Sequence, residues 1–310
     1  MLGSYPATVV TMLQRMRALL ERRAQPLPDR YRRPLLAIAT VALIVAMAWA
    51  WSRAGLTIDD LSWRPLVALA LIAAPASLLL KAAEFIVAAR IAGQRPGPRR
   101  AMETAVVSSA ANLLPLPGSL LVTVKALADG GAGYGGAVVA SAVPGIAWLG
   151  ITGVVGGSAL VIEGAPAVGL IVLIGGLVAF VGAGAVFHST GPSNGRPALV
   201  LAILLVETGW LAVSGLRFTL AAAVIGVDLT LPQALALSVA GAITVAIGFF
   251  PGGLGVREAL IAALSPLIGL DLETGVLLGA VDRVVWLGFL ALAGAGLALS
   301  RQRANTVSAT

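Results

Sequence analysis

Apolar residues fall in long blocks along the chain, at about 35–51, 65–91, 101–127, 137–160, 167–187, 198–226, 232–269 and 274–300, with polar residues gathered between them. A helix needs about 20 apolar residues to cross the roughly 30 Å hydrocarbon core of a bilayer. Most of the blocks meet that length and predict membrane-spanning helices. Two are interrupted, one by Asn112-Leu-Leu-Pro-Leu-Pro-Gly118 and the other by Pro251-Gly-Gly-Leu-Gly255. Proline removes a backbone donor and collides with the preceding turn, so a helix does not run through such a segment. Each interrupted block is therefore either one broken span or two half-helices that dip in and return.

Charge patterning separates these readings. Residues 1–34 carry Arg15, Arg17, Arg22, Arg23, Arg30, Arg32 and Arg33 against Glu21 and Asp29. The segment 94–100 carries Arg95, Arg99 and Arg100, 188–197 carries Arg196, and the tail 301–310 carries Arg301 and Arg303. The segments 161–166, 227–231 and 270–273 carry only acidic charge: Glu163, Asp228, Asp271 and Glu273. Basic loops stay on the cytoplasmic side. If both interrupted blocks return to the face they entered from, all these segments obey that rule, and 53–64 is neutral. The expected fold is an all-α polytopic membrane protein with six full spans, two re-entrant helical hairpins and both termini in the cytoplasm. The alternative, eight full spans, would put His188 and Arg196 outside and Glu163 inside.

Residues 35–300 then form a single transmembrane domain, with halves at about 35–160 and 167–300 and a cytoplasmic tail at 301–310. In 1–34, Val9, Val10, Leu13, Met16 and Leu20 recur at helical spacing between arginines. This reads as a basic amphipathic segment on the cytoplasmic surface, or as a tail that only enforces orientation. The first apolar run starts at Leu35, too late for a cleavable signal. Trp49, Trp51 and Trp63 suit interfacial anchors, and Arg217 is expected at an interface.

Composition agrees with this pattern. Of 310 residues, 58% are hydrophobic and 11% charged, and mean hydropathy is +0.96. A soluble domain carries about 25% charged residues, so soluble-enzyme readings are excluded. Only Lys81 and Lys125 among the 21 basic residues are lysines, and Ala and Gly abound, a bias of GC-rich bacterial genomes. A bacterial inner-membrane location follows as an expectation. There is no cysteine, and His188, the one histidine, lies in the loop-like stretch HSTGPSNGRP. No disulfide, thiol chemistry, metal site or catalytic triad is expected, and no cofactor or nucleic-acid partner.

The two interrupted blocks share a sequel. Ala142-Val-Pro-Gly-Ile-Ala-Trp148-Leu-Gly150 follows the first, and Ala280-Val-Asp-Arg-Val-Val-Trp286-Leu-Gly288 follows the second. Pro115 precedes Trp148 by 33 residues, and Pro251 precedes Trp286 by 35. Each half reads span, span, hairpin, span, and the halves start on opposite sides. That is an inverted-topology repeat, an architecture typical of secondary transporters.

Polar groups at membrane depth are costly and face the protein interior or a water-filled cavity. Gly252, Gly253 and Gly255 form a turn before a helix whose first turn holds Arg257 and Glu258. Free N–H groups and the positive dipole end make such a terminus an anion site, and Arg257 adds a planar donor fork. Asp282 and Arg283 lie about ten residues into the last span, Glu207 is similarly deep in 198–226, Asn112 precedes the first break, and Lys125 closes the first hairpin. Together these ten residues are the candidate site for a lipid headgroup phosphate. The structural alternative is a set of ion pairs: Arg257–Asp282, Glu258–Arg283 or Glu207–Arg257. Lys81 and Glu84, one helical turn apart, read as a snorkelling pair.

The stretch FFPGGLGVREAL, followed by Asp282-Arg283, resembles the lysylphosphatidylglycerol synthetase/flippase membrane-domain family. Gly255-Val256-Arg257-Glu258 matches that family's second block, and Asn112, Pro115 and Gly118 match its first block weakly. The resemblance covers roughly 35–300. It implies a flippase-like membrane domain without the soluble aminoacyl-transferase domain of larger relatives. The family's acidic and basic residues after the first turn are replaced here by Ser119 to Val124, with only Lys125 left, and its charged pair in the next span is Pro144-Gly145. The departures imply a first half-site altered in substrate or inactive.

The expected function is translocation of a phospholipid or other amphiphilic, even isoprenoid-linked, lipid between leaflets through a polar midplane groove. The partners are membrane lipids with an anionic headgroup. GGLGVRE lacks the Lys-Ser/Thr of a nucleotide-binding loop, so movement is passive or ion-coupled, with Glu258, Asp282 or Glu207 as proton carriers. One alternative is a non-catalytic lipid-binding partner of a membrane synthase or glycosyltransferase. Another is a membrane-embedded lipid-modifying enzyme, which lacks a visible nucleophile–base pair.

Overall fold

Backbone groups in hydrocarbon must be satisfied within their own segment, and this chain meets that demand with helices. The computed structural model describes residues 41, 44–112, 118–190, 196–247 and 255–308, and among these there is no strand. Helix α1 covers 44–54 and α2 Trp63–Ile91. Then come α3 (Pro98–Ala111), α4 (Gly118–Asp129), α5 (Tyr134–Ile162), α6 (Pro166–Thr190) and α7 (Arg196–Val224). The chain ends with α8 (Leu231–Ile247), α9 (Val256–Leu264) and α10 (Leu272–Ser308). Five helices are long and apolar enough to cross a membrane: α2, α5, α6, α7 and the Leu272–Ser300 part of α10. The chain is thus a helical, multi-pass membrane protein. The basic segment 1–34 and most of 35–43 lie outside the described residues.

Local chemistry sets the helix bounds. Gly93, Gly131, Gly164 and Gly226 follow α2, α4, α5 and α7 with φ of 76°, 98°, 92° and 74°, the left-handed stop that glycine adopts without strain. Within α2 the chain widens to a π turn over Leu69–Ala73. Pro75 follows directly and has no N–H to give the preceding turn. Helix α6 continues to Thr190, so His188 is on its exposed last turn and not in a loop. Residues 185–190 contain no Gly or Pro, so the helix continues past the point where the polar residues begin.

The two interrupted blocks fold back on themselves. Asn112 Oδ1 accepts the Ser119 N–H at 3.0 Å, and Gly118 lies against the Ala111 carbonyl so closely that any side chain would collide. At the other end, Arg100 Nη2 donates to the Ala126 carbonyl at 2.9 Å and Gln94 Nε2 to the Leu127 carbonyl at 2.7 Å. Helices α3 and α4 are therefore an antiparallel pair. In the second block, Gln233 Nε2 at the start of α8 donates to the Ile268 carbonyl beyond α9 at 2.9 Å. Residues 113–117 and 248–254 lie outside the described residues. With 14 and 12 residues, α3 and α4 are about 21 and 18 Å long, well short of a bilayer core.

The interior is divided in two. One apolar cluster joins Leu69 and Ala73 of α2, Leu160 of α5, Phe218 and Ala222 of α7, Leu237 of α8, Ile261 of α9 and Leu278 of α10. The other joins Leu78 and Phe85 of α2, Ala105 of α3, Leu127 of α4, Val143 of α5, Ile203 of α7 and Leu290 of α10. Each of α2, α5, α7 and α10 passes from one cluster to the other. The α3–α4 pair belongs to the second cluster and the α8–α9 pair to the first, so the two short pairs sit at opposite ends of the bundle.

Candidate functional site

The buried charges lie at the seam between those clusters. Asp282 is on α10 between Leu278 and Leu290, ten residues after Leu272 and thus about 15 Å along the helix. Its side chain is fully shielded. Arg217 Nε of α7 donates to Oδ1 at 2.7 Å, and Arg257 Nη1 of α9 donates to Oδ2 at 2.7 Å. One carboxylate is therefore held by two guanidiniums from two other helices. Arg217 Nη1 also donates to Ser77 Oγ of α2 at 3.2 Å, and that hydroxyl donates to the Ala73 carbonyl at 2.9 Å. The Arg217 guanidinium lies 5.0 Å from the centre of the Trp286 ring, and that of Arg257 lies 5.4 Å from the Phe218 ring. Weakly hydrated, planar guanidiniums tolerate such burial better than ammonium groups.

A second ion pair adjoins the first. Arg283 Nε faces Glu258 Oε1 at 3.6 Å, longer than a hydrogen bond, and both side chains are buried. Glu258 Oε2 accepts the Gly255 N–H at 2.9 Å. Gly255 turns the chain into α9 with φ of 82°, a conformation side chains strain to adopt. The donor at the positive end of α9 is thus partly occupied by the helix's own Glu258, the reciprocal half of a capping box. Close packing supports this. A Cβ on Gly279 would sit 3.4 Å from Glu258 Cγ, and one on Gly275 would sit 2.8 Å from Ala262 Cα. These glycines let α9 bed directly on α10.

The cluster holds Arg217, Arg257 and Arg283 against Glu258 and Asp282, so its formal charge is 3 − 2 = +1. Pairing offsets most of the desolvation of these groups, but the excess positive charge at the seam is complementary to one anionic group.

Of the expected site residues, the structure brings Gly255, Arg257, Glu258, Asp282 and Arg283 together. Two of the three candidate ion pairs form, Arg257–Asp282 and Glu258–Arg283. A Glu207–Arg257 pair is absent, because Arg257 is committed to Asp282. Glu207 is buried on α7, subject to the charges of Glu84 and Lys81 on α2. Those two pair at 2.9 Å, as their spacing predicts. Lys125 does not join the site. It is exposed and pairs with Asp129 at 3.1 Å, one turn on along α4. Asn112 is exposed and ties the start of α4 to the end of α3. Gly252 and Gly253 lie outside the described residues.

Arg217 corrects the reading from sequence. It is not interfacial but one of the two cations on Asp282, and Ser77, Trp286 and Phe218 also went unrecognised. A signal was present: Arg217 lies seven residues before the end of α7, near the acidic 227–231 segment, where the basic-inside rule disfavours a free arginine. The repeat is unequal at this site. Trp286 underlies Arg217, whereas its counterpart Trp148 packs 3.8 Å from the position of a Cβ on Gly241. Pro144 and Gly145, at the positions of Asp282 and Arg283, carry no charge. Comparison of the chain with protein-family models, curated proteins and solved structures finds no match.

Proposed function

We propose that the chain is a flippase-like lipid translocase of the bacterial inner membrane that moves an amphiphile with an anionic headgroup between leaflets. The observation that carries this reading is the buried cluster of three arginines and two carboxylates at the seam of the bundle. A charge assembly in apolar surroundings is expensive, and a set of pure structural pairs would be neutral. An excess of one guanidinium suits a phosphate or carboxylate passing the seam. Arg257, at one-fifth exposure the most accessible of the three, is the first contact. Glu258 and Arg283 hold α9 in place beneath it.

In this reading the α3–α4 and α8–α9 pairs are re-entrant hairpins entering from opposite faces, and α1 completes six spans. The halves form an inverted repeat, and both termini are cytoplasmic. Two short antiparallel pairs at opposite ends of the bundle support that arrangement. The second half supplies the headgroup site, and the first half, with Pro144-Gly145 where the second has Asp282-Arg283, supplies apolar passage for acyl chains. The resemblance of Gly255-Val-Arg257-Glu258 to the flippase membrane domain points the same way.

The experiment is leaflet exchange of a fluorescent anionic phospholipid in proteoliposomes, read by quenching from outside. Wild type accelerates exchange, and Arg257→Ala loses most of that acceleration. Identical rates for both, or exchange no faster than in empty liposomes, would remove Arg257 or translocation itself from the reading.

A further inference from the structure

Glu207 stands apart from the arginine cluster in a way that asks for its own account. It is on α7, only 1% exposed, and its Oε1 has no hydrogen-bond partner. The indole N–H of Trp210, one turn along the same helix, is likewise buried and unpartnered. Among the described residues no cation forms an ion pair with Glu207. Lys81, whose positive charge acts on it, is already held by Glu84 at 2.9 Å.

The other buried acids are committed. Asp282 is gripped by two arginines; Glu258 accepts the Gly255 N–H through Oε2 and faces Arg283 at 3.6 Å, its Oε1 making no hydrogen bond. A proton on either would break an ion pair. A proton on Glu207 breaks none, and the neutral acid is the form that fits an apolar site without a bound cation. Position matters as well. Glu207 and Arg217 are ten residues apart on α7, about 15 Å along the axis. Arg217 contacts Ser77 of α2, and the Lys81–Glu84 pair lies one to two turns further along α2. Gly209, two residues on and therefore round the helix from Glu207, is where α7 meets α2: a Cβ there would sit 3.0 Å from Leu80 Cδ2.

We propose that Glu207 is the proton-carrying group of the cycle, taking up one proton and releasing it across the membrane. The step is reversible protonation of a carboxylate, with no covalent or redox change. The proposal rests on the translocation reading for its coupling, but not for the proton site itself. The charges that act on Glu207 are those of Lys81 and Glu84 on α2. Helix α8 carries no titratable side chain, α5 carries only Tyr134 at its first residue, and the Asp282 and Arg283 of α10 are engaged in the arginine cluster.

Two measurements test it. The first needs no lipid movement. Dicyclohexylcarbodiimide, an apolar reagent, converts a protonated buried carboxyl to an N-acylurea. Applied to the full-length protein at acid and alkaline pH, with peptide mass spectrometry, it should label Glu207 and spare Asp282 and Glu258. Labelling should be stronger in acid and absent from Glu207→Gln. No labelling of Glu207 at either pH overturns the proposal. The second is leaflet exchange of a fluorescent anionic phospholipid with an imposed pH gradient. The wild-type rate should change several-fold with the gradient. Glu207→Gln should move lipid at a rate indifferent to it, and Glu207→Asp should restore the response. A Glu207→Gln protein that responds like wild type overturns the coupling. Carbodiimide labelling without any lipid movement by wild type leaves the proton site standing and removes the translocation reading instead.

Discussion

Arg217 and Asp282 are 65 residues apart in the chain, and Arg217 Nε lies 2.7 Å from Asp282 Oδ1. Arg257 occupies the other oxygen, so one side chain ties α7, α9 and α10 together. Its neighbours on α10 belong to different apolar clusters, which makes this carboxylate the joint between them.

Removing that charge leaves two buried guanidiniums facing each other. Asp282→Asn is expected to cost about 3–5 kcal/mol of stability, the range for an orphaned buried charge. Arg257→Gln costs less, because Arg217 still neutralises Asp282. Thermal unfolding of both variants in the same lipid or detergent checks the order, and a reversed order would mean that Asp282 is not the joint.

Arg217 serves Asp282, Ser77 and the Trp286 face at once, a geometry that only a planar fork supports. Arg217→Lys is therefore expected to behave like Arg217→Leu and not like wild type in anionic-lipid binding, measured by native mass spectrometry. Trp286→Leu, which removes only the ring face, should weaken binding by about 2- to 30-fold, the value of about 0.5–2 kcal/mol for such a contact.

Close packing of α9 on α10 makes a prediction about glycine. Gly275→Val puts a side chain into the Ala262 backbone and should cost about 1–3 kcal/mol through overpacking. Gly288, on the same helix, faces open space, so Gly288→Ala should leave the melting temperature almost unchanged. Equal effects of the two substitutions would count against the close approach.

The loop before α2 carries a pH dependence. The Thr57 N–H donates to Asp60 Oδ2 at 2.7 Å and the Thr57 hydroxyl at 2.8 Å. Both bonds favour the carboxylate, the backbone one more, and hold the group below its ordinary range. Because the folded value is the lower one, the loop's gain is complete above the ordinary carboxylate range. It fades as pH falls through the folded value. Thr57→Ala should raise the titration midpoint of Asp60, followed by NMR of labelled aspartate. An unmoved midpoint would assign the effect elsewhere.

The helices were legible because hydrocarbon demands long apolar runs, and α2, α5, α6, α7 and α10 follow those runs to within a few residues. Leu272–Ser300 and the predicted 274–300 differ only by the turn where Glu273 begins the helix. The charged site was legible where residues were adjacent in sequence, as Arg257–Glu258 and Asp282–Arg283 are. Arg217 was not, since its meaning depends on which face of α7 turns towards α10, and periodicity on an almost wholly apolar helix leaves that face undefined. Lys125 erred in the other direction. Its place at the close of the first hairpin put it among the candidate site residues, but an exposed partner one turn away, Asp129, satisfies it.

The two-cluster interior has a mechanical consequence. Helices α2, α5, α7 and α10 each have one end in either apolar body, and α2, α7 and α10 bring Ser77, Arg217 and Asp282 to the ionic seam between them. A rigid helix held at its middle is a lever, so a tilt that spreads the bundle at one end draws it together at the other. Asp282 and its arginines are then the fulcrum, and in a protein that moves lipid as proposed, access from one face of the membrane would come at the expense of access from the opposite face.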